Sequence, residues 1–143
     1  VGSEMCIRDR SYGAESAGAV HALTQTLGGI YPVHHGLAVA ATLVPVMEYN
    51  WMGNPKKYAR IAKALGEDIK GLSEREGALL AVEAVNKLVK DLSIPTLKDM
   101  GVKEEDIPRL AIEAEKDPQT IGNTRDINRK GYETIYRRSL GLE

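Results

Sequence analysis

Residues 17–50 read "AGAVHALTQTLGGIYPVHHGLAVAATLVPVMEYN", and this stretch decides the fold. Its first half repeats Ala17, Val20, Leu23 and Leu27 at three- and four-residue steps. That period predicts an amphipathic helix over 12–27, stopped by Gly28-Gly29. After the connection "GGIYPV" a second helix is predicted from about His35 to Tyr49. It is apolar on nearly every face, which places it in the middle of a bundle. Pro45 should kink it or mark its last turn.

Working outward, the pattern stays helical. "NPKKYARIAKALG" at 54–66 opens with Asn54 as N-cap and Pro55 at the first helical position, and Gly66 stops it. Ser73 and Glu76 have capping-box spacing and open a long helix to about Leu92. Its expected buried stripe is Ala81, Val85, Leu88, Val89 and Leu92. "TLKDMG" at 96–101 offers one or two turns. A further helix is predicted over 104–115, with Ile107, Leu110, Ala111 and Ala114 inward. Asp126 is the expected cap of a last helix running to about Leu140. No alternating strand, repeat or low-complexity tract stands out. The fold class is therefore all-α, a helical bundle of six or seven helices.

The composition sets limits on partners. At 143 residues, with 43% hydrophobic and 27% charged residues, the chain has the make-up of one soluble globular domain. A net charge of −1 with no Lys/Arg block argues against a nucleic-acid grip. The longest apolar run, "LAVAATLVPVM" at 37–47, is about half of what a bilayer span needs, so no membrane segment is expected. One cysteine, Cys6, excludes an internal disulfide. The opening "VGSEMCIRDR" has neither an initiating Met at position 1 nor any periodicity. Residues 1–10 are read as a non-native leader, residues 11–143 as the helical domain, and the native protein is expected to extend further N-terminally.

The chain holds three histidines, His21, His34 and His35, and all of them lie around the Gly-Gly turn. A helical hairpin can aim His21 and His35 into one space across their fourteen-residue separation. Imidazole suits Fe(II), Zn(II) and other borderline metals. Two neutral ligands alone seldom hold a catalytic metal, and a spacing of fourteen is no metal motif. On spacing alone, histidines serving as caps or core hydrogen-bonding groups remain the alternative. No G-x-G-x-x-G or P-loop pattern surrounds the glycines.

The wording goes further than the spacing. This stretch closely resembles the signature of the iron-containing (group III) alcohol dehydrogenases, roughly G-x-x-H-A-x-x-H-x-L-G-G-x-Y-x-x-x-H-G followed by an apolar helix ending in Pro-x-x-x-x-Asn. Gly18, His21, Ala22, Leu27, Gly28, Gly29, Tyr31, His35, Gly36, Pro45 and Asn50 fall into register. The likeness continues through "YARIAKALG", "LSIPTLKDMGV" and "NTRDINRKGYETIYRRSL", so it covers about residues 12–142.

The resemblance implies that His21 and His35 are two ligands of a divalent metal. Fe(II) is the family default, with Zn or Mn fitting the same donors. The other two ligands belong to a D-x-x-x-H segment, and this sequence contains none. It also lacks the family's N-terminal α/β domain, which binds NAD or NADP. The implied activity of the intact protein is hydride transfer between a small alcohol (or an aldehyde or ketone) and the nicotinamide, in a cytoplasmic homo-oligomer. Gln25 stands where many members carry a second histidine. Its amide can hydrogen-bond a substrate or a water but cannot act as an acid or base near neutral pH. His34 stands where proline is common and should point away from the site. Tyr31 could close over a substrate or simply pack. Asn123 and Arg125 are expected to cap and brace the loop before the last helix, and Arg137-Arg138 to form a solvated helix end. A glycerol dehydrogenase or maleylacetate reductase is the nearest rival within the superfamily. A non-catalytic helical interaction module is the rival outside it.

Overall fold

Six α-helices and three short 3-10 turns make up residues 18–142, the part described by the computed structural model, with no β-strand among the described residues. The helices are α1 (Ala19–Ile30), α2 (His35–Asn50), α3 (Pro55–Ala64), α4 (Glu74–Asp91), α5 (Ile107–Lys116) and α6 (Arg129–Ser139). The 3-10 turns are Trp51–Gly53, Glu104–Asp106 and Pro118–Gly122. The leader expected over 1–10, Cys6 and the predicted helical start at 12–17 lie outside the described residues. No described helix is long and apolar enough to cross a membrane.

The predicted caps at Asn54 and Ser73 form through local chemistry. Asn54 Oδ1 accepts the Lys57 amide at 3.1 Å, with Pro55 at the first helical position. Ser73 and Glu76 exchange the bonds of a capping box, Ser73 N–H donating to Glu76 Oε2 at 2.8 Å and Glu76 N–H to Ser73 Oγ at 3.3 Å. Gly66, at φ 94°, closes α3: its amide bonds Lys63 O and the Glu67 amide bonds Ala62 O. Ser93, at φ 52°, ends α4 with the same pair of bonds, to Lys90 O and Val89 O. Thr96 and Asp99 make a single capped turn of "TLKDMG", with the Thr96 amide donating to Asp99 Oδ2 at 2.9 Å.

Three expectations are corrected. First, Gly28-Gly29 does not stop α1, which runs on to Ile30. Two helical glycines cost on the order of 2 kcal/mol, a penalty that packing can override. Pro32 is a harder stop, because its ring drives the preceding residue out of the helical region. Tyr31 accordingly sits at φ −120°, ψ 145°. Second, α6 is capped by Asn128, whose side chain accepts the Gly131 amide at 3.0 Å, and not by Asp126. Third, the buried residues of α4 are Gly77, Ala78, Ala81 and Val82, whereas Leu88 and Leu92 are 49% and 63% exposed. The 18 residues of α4 outreach the 10 of its partner α3 by roughly 12 Å, so its C-terminal half overhangs.

α2 lies centrally, packing on α1, α4 and α6. It passes through Pro45 and continues to Asn50, so the proline does not end it. Ala38 and Val46 face one core, built with Leu23 and Leu27 of α1, Leu110 and Ala114 of α5, and Tyr132 and Tyr136 of α6. Val44 and Met47 face a second core, shared with Tyr58 and Ala62 of α3 and Ala78, Ala81 and Val82 of α4. The predicted inward set of α5 (Ile107, Leu110, Ala111, Ala114) is buried throughout. The first turn of α2, from His35 to Leu37, is left exposed.

Candidate metal centre

His21 lies in the first turn of α1, and His35 is the first residue of α2. Their ring centres are 5.8 Å apart and the planes are inclined by 54°. Two rings sharing one ion through metal–nitrogen bonds of about 2.1 Å have centres ~3.2 Å from it, hence no more than ~6.4 Å apart. The observed separation falls inside that limit. His21 is half-buried with its Nδ1 fully covered, whereas His35 is exposed. One ring is thus half-buried and the other opens outward. No group of three or more metal-ligating side chains occurs among the described residues. Among the described residues, the two imidazoles are the donors that the geometry brings within reach of one ion.

The other predicted site residues fall elsewhere. His34 precedes α2, and its ring lies over the first turn of that helix, 3.6 Å from where a β-carbon on Gly36 would be. Gln25 is exposed, one turn beyond His21 on α1. It lines an open groove of about 370 Å³ with Thr26, Arg109, Glu113 and Asp117, and neither His21 nor His35 is part of that lining. Tyr31 is a brace. Its phenol donates to Asp106 Oδ2 and accepts the Lys103 amide at 3.1 Å, tying the α1–α2 connection to the entry of α5. Burial, then the hydrogen bond to Asp106, holds this phenol above its ordinary pKa, so it stays a neutral donor.

Asn123 and Arg125 reach well beyond their own loop. Asn123 Oδ1 accepts the Ala19 amide at 3.3 Å and Asn50 Nδ2 at 2.7 Å, while its Nδ2 donates to Asn50 Oδ1 at 2.8 Å and to Arg125 O at 2.7 Å. Arg125 donates to Tyr49 O at 3.0 Å and lies 4.3 Å over the Tyr49 ring centre. The Arg137-Arg138 pair is not only a solvated end: Arg137 meets Glu104 at 3.3 Å and Arg138 meets Glu48 at 3.2 Å.

The model of the "Fe-containing alcohol dehydrogenase family, C-terminal" matches residues 6–140. The chain belongs to the iron-containing alcohol dehydrogenase family. It is 56% identical over 132 residues to a choline dehydrogenase of Bacillus subtilis (strain 168), covering 92% of this chain and 33% of that protein. Identity to a 1,3-propanediol dehydrogenase of Citrobacter freundii is 43% over 124 residues, 86% of this chain and 32% of that protein. Among solved structures, a 1,3-propanediol oxidoreductase superposes with a TM-score of 0.83 at 42% identity, over 85% of this chain and 32% of that one. The chain therefore spans about a third of the length of these family members, and its helical bundle corresponds to part of their fold.

Proposed function

We propose that this chain is the metal-binding C-terminal part of an oxidoreductase that moves a hydride between a small alcohol and NAD(P). The observation that carries the reading is the pair of rings at His21 and His35, 5.8 Å apart and in the register of the family signature. Both imidazoles are neutral donors when they hold a cation. Iron(II) is the first candidate, and zinc or manganese suits the same nitrogens. Such an ion, when bound, supplies a Lewis acid for the alcohol oxygen. An Asp and a His from the part of the protein outside this chain complete the sphere, and the nucleotide lies on that part as well.

The chain's own residues hold and shield. α1 presents His21 from a buried first turn, and α2 presents His35 on an exposed one, so substrate and nicotinamide approach from the side of His35, Gly36 and Leu37. Gln25 lines a groove that neither ring enters, so its role is limited to hydrogen-bonding a hydroxyl or a water that reaches that groove. It moves no proton itself, so proton transfer passes through solvent or groups outside the chain. The similarity to proteins named for choline and 1,3-propanediol makes these the first alcohols to offer.

The test is a full-length protein assayed with these alcohols and NAD or NADP, beside the 143-residue chain alone. The full-length protein reduces the nucleotide and the short chain does not. Turnover by the short chain, or no turnover by a metal-loaded full-length protein with any small alcohol, would overturn the reading.

A further inference from the structure

α1 begins without a side-chain cap of its own. Gly18 precedes it at φ 80°, and no acidic residue occupies its first turn. An uncapped helix end frays, and the loss reaches the first turn directly. Here that turn carries His21, whose amide bonds Gly18 O at 3.1 Å.

The cap comes from far along the chain. Asn123 Oδ1 takes the Ala19 amide, 104 residues away, and its amide group pairs both ways with that of Asn50 at the end of α2. Asn50 is buried and Asn123 half-buried. A paired amide of this kind is satisfied at both ends only in one relative position of its two carriers. The loop is gripped from the other side as well. Arg125 donates to Tyr49 O, the Tyr49 hydroxyl donates to Asp126 O at 3.0 Å, and Gly53 lies so close that an added β-carbon would be 2.7 Å from Thr124 O. The 123–126 loop thus joins the start of α1 to the end of α2.

We infer that Asn123, through Asn50, is a positioning residue for the metal site, fixing the first turn of α1 so that His21 stays in register with His35. This rests on the reading of His21 and His35 as ligands. Neither asparagine touches the metal. Their contribution is the rigidity of a ligand-bearing turn. A group hydrogen-bonded to a ligand itself is typically worth about tenfold or more in metal affinity, and Asn123 acts one step further out, through the Ala19 amide.

The test uses the full-length, metal-loaded protein with excess chelator, and reads the rate of metal loss well below the melting temperature. Asn123→Ala loses metal on the order of tenfold faster than wild type. Asn123→Asp keeps the acceptor contacts to Ala19 and Asn50 but sets a carboxylate oxygen against Asn50 Oδ1 and Arg125 O, so it loses metal faster than wild type as well. Val82→Ala, in the second core, serves as a control for general destabilisation and retains metal like wild type. If Asn123→Ala does not accumulate as folded protein, Asn50→Ala carries the same comparison. Equal acceleration in Asn123→Ala and Val82→Ala, or wild-type retention in Asn123→Ala, overturns the inference while leaving the ligand reading intact. A wild-type protein that takes up no metal, or a His35→Ala variant that keeps it fully, overturns both.

Discussion

Two helices of the second core approach closely at Gly77 of α4, where an added β-carbon would be 2.8 Å from Ala59 Cβ and 3.4 Å from Ala59 Cα. Gly77→Ala brings two opposed effects. Replacing a helical glycine by alanine favours α4 by about 1 kcal/mol. Carbon atoms pack at about 3.5–4.0 Å, so α3 and α4 must part by up to about 1 Å. Overpacking of that kind costs about 1–3 kcal/mol. The contact wins, and net destabilisation of about 1 kcal/mol is expected, lowering Tm by roughly 4 °C for a domain of this size. Ala59→Gly alone costs about 2 kcal/mol, from lost helix propensity and a lost buried methyl. Together the two changes move the methyl group across the interface and relieve the clash. The double variant should be about 1–2 kcal/mol more stable than the sum of the single changes predicts. Equilibrium urea unfolding followed by circular dichroism measures all four corners. Strict additivity, or a Gly77→Ala protein more stable than the parent, would refute the claim that this glycine is required by the helix–helix contact.

Other predictions test separate parts of the fold. Hydrogen bonds from Ser73 and from Thr96 hold the Glu76 and Asp99 carboxyls below their usual pKa. A depressed carboxyl stabilises the fold above its unfolded pKa, near 4, and the contribution is lost as pH falls through the folded value. The Glu76→Gln, Asp99→Asn double variant should therefore show a flatter fall of stability than the parent as pH drops from about 5 to about 3. The buried Tyr136 hydroxyl donates to Leu23 O at 3.1 Å, so Tyr136→Phe leaves a buried carbonyl without this donor and costs about 1–2 kcal/mol by urea unfolding. Ser93 holds a left-handed backbone at φ 52°, and Ser93→Gly should raise stability by about 1 kcal/mol, visible as a higher Tm.

What the sequence could reveal follows the range of the forces involved. Helix periods and the caps at Asn54 and Ser73 depend on residues within one turn of each other, and these were legible. Gly28-Gly29 has the look of a helix stop, but the Tyr31-Pro32 step that follows is what ends α1. Asp126 was a plausible cap, but the chain there is occupied with Tyr49, which leaves Asn128 to start α6. Leu88 and Leu92 fit a buried stripe by period, yet burial depends on how far α3 reaches, which no local pattern encodes. Likewise the pairing of Asn50 with Asn123 joins residues 73 apart, and no local pattern encodes it. His21 and His35 stand out in the sequence by scarcity and by the family wording around them. The structure adds that the hairpin brings their rings within reach of one ion.

The most direct measurement is the metal content of the purified full-length protein with each histidine replaced in turn. His21→Ala and His35→Ala should each lose the bound metal, while His34→Ala, whose ring lies over Gly36, keeps it at the parental level. Equal loss in His34→Ala and His35→Ala, or full metal content in His21→Ala, would contradict a shared ion between these two rings.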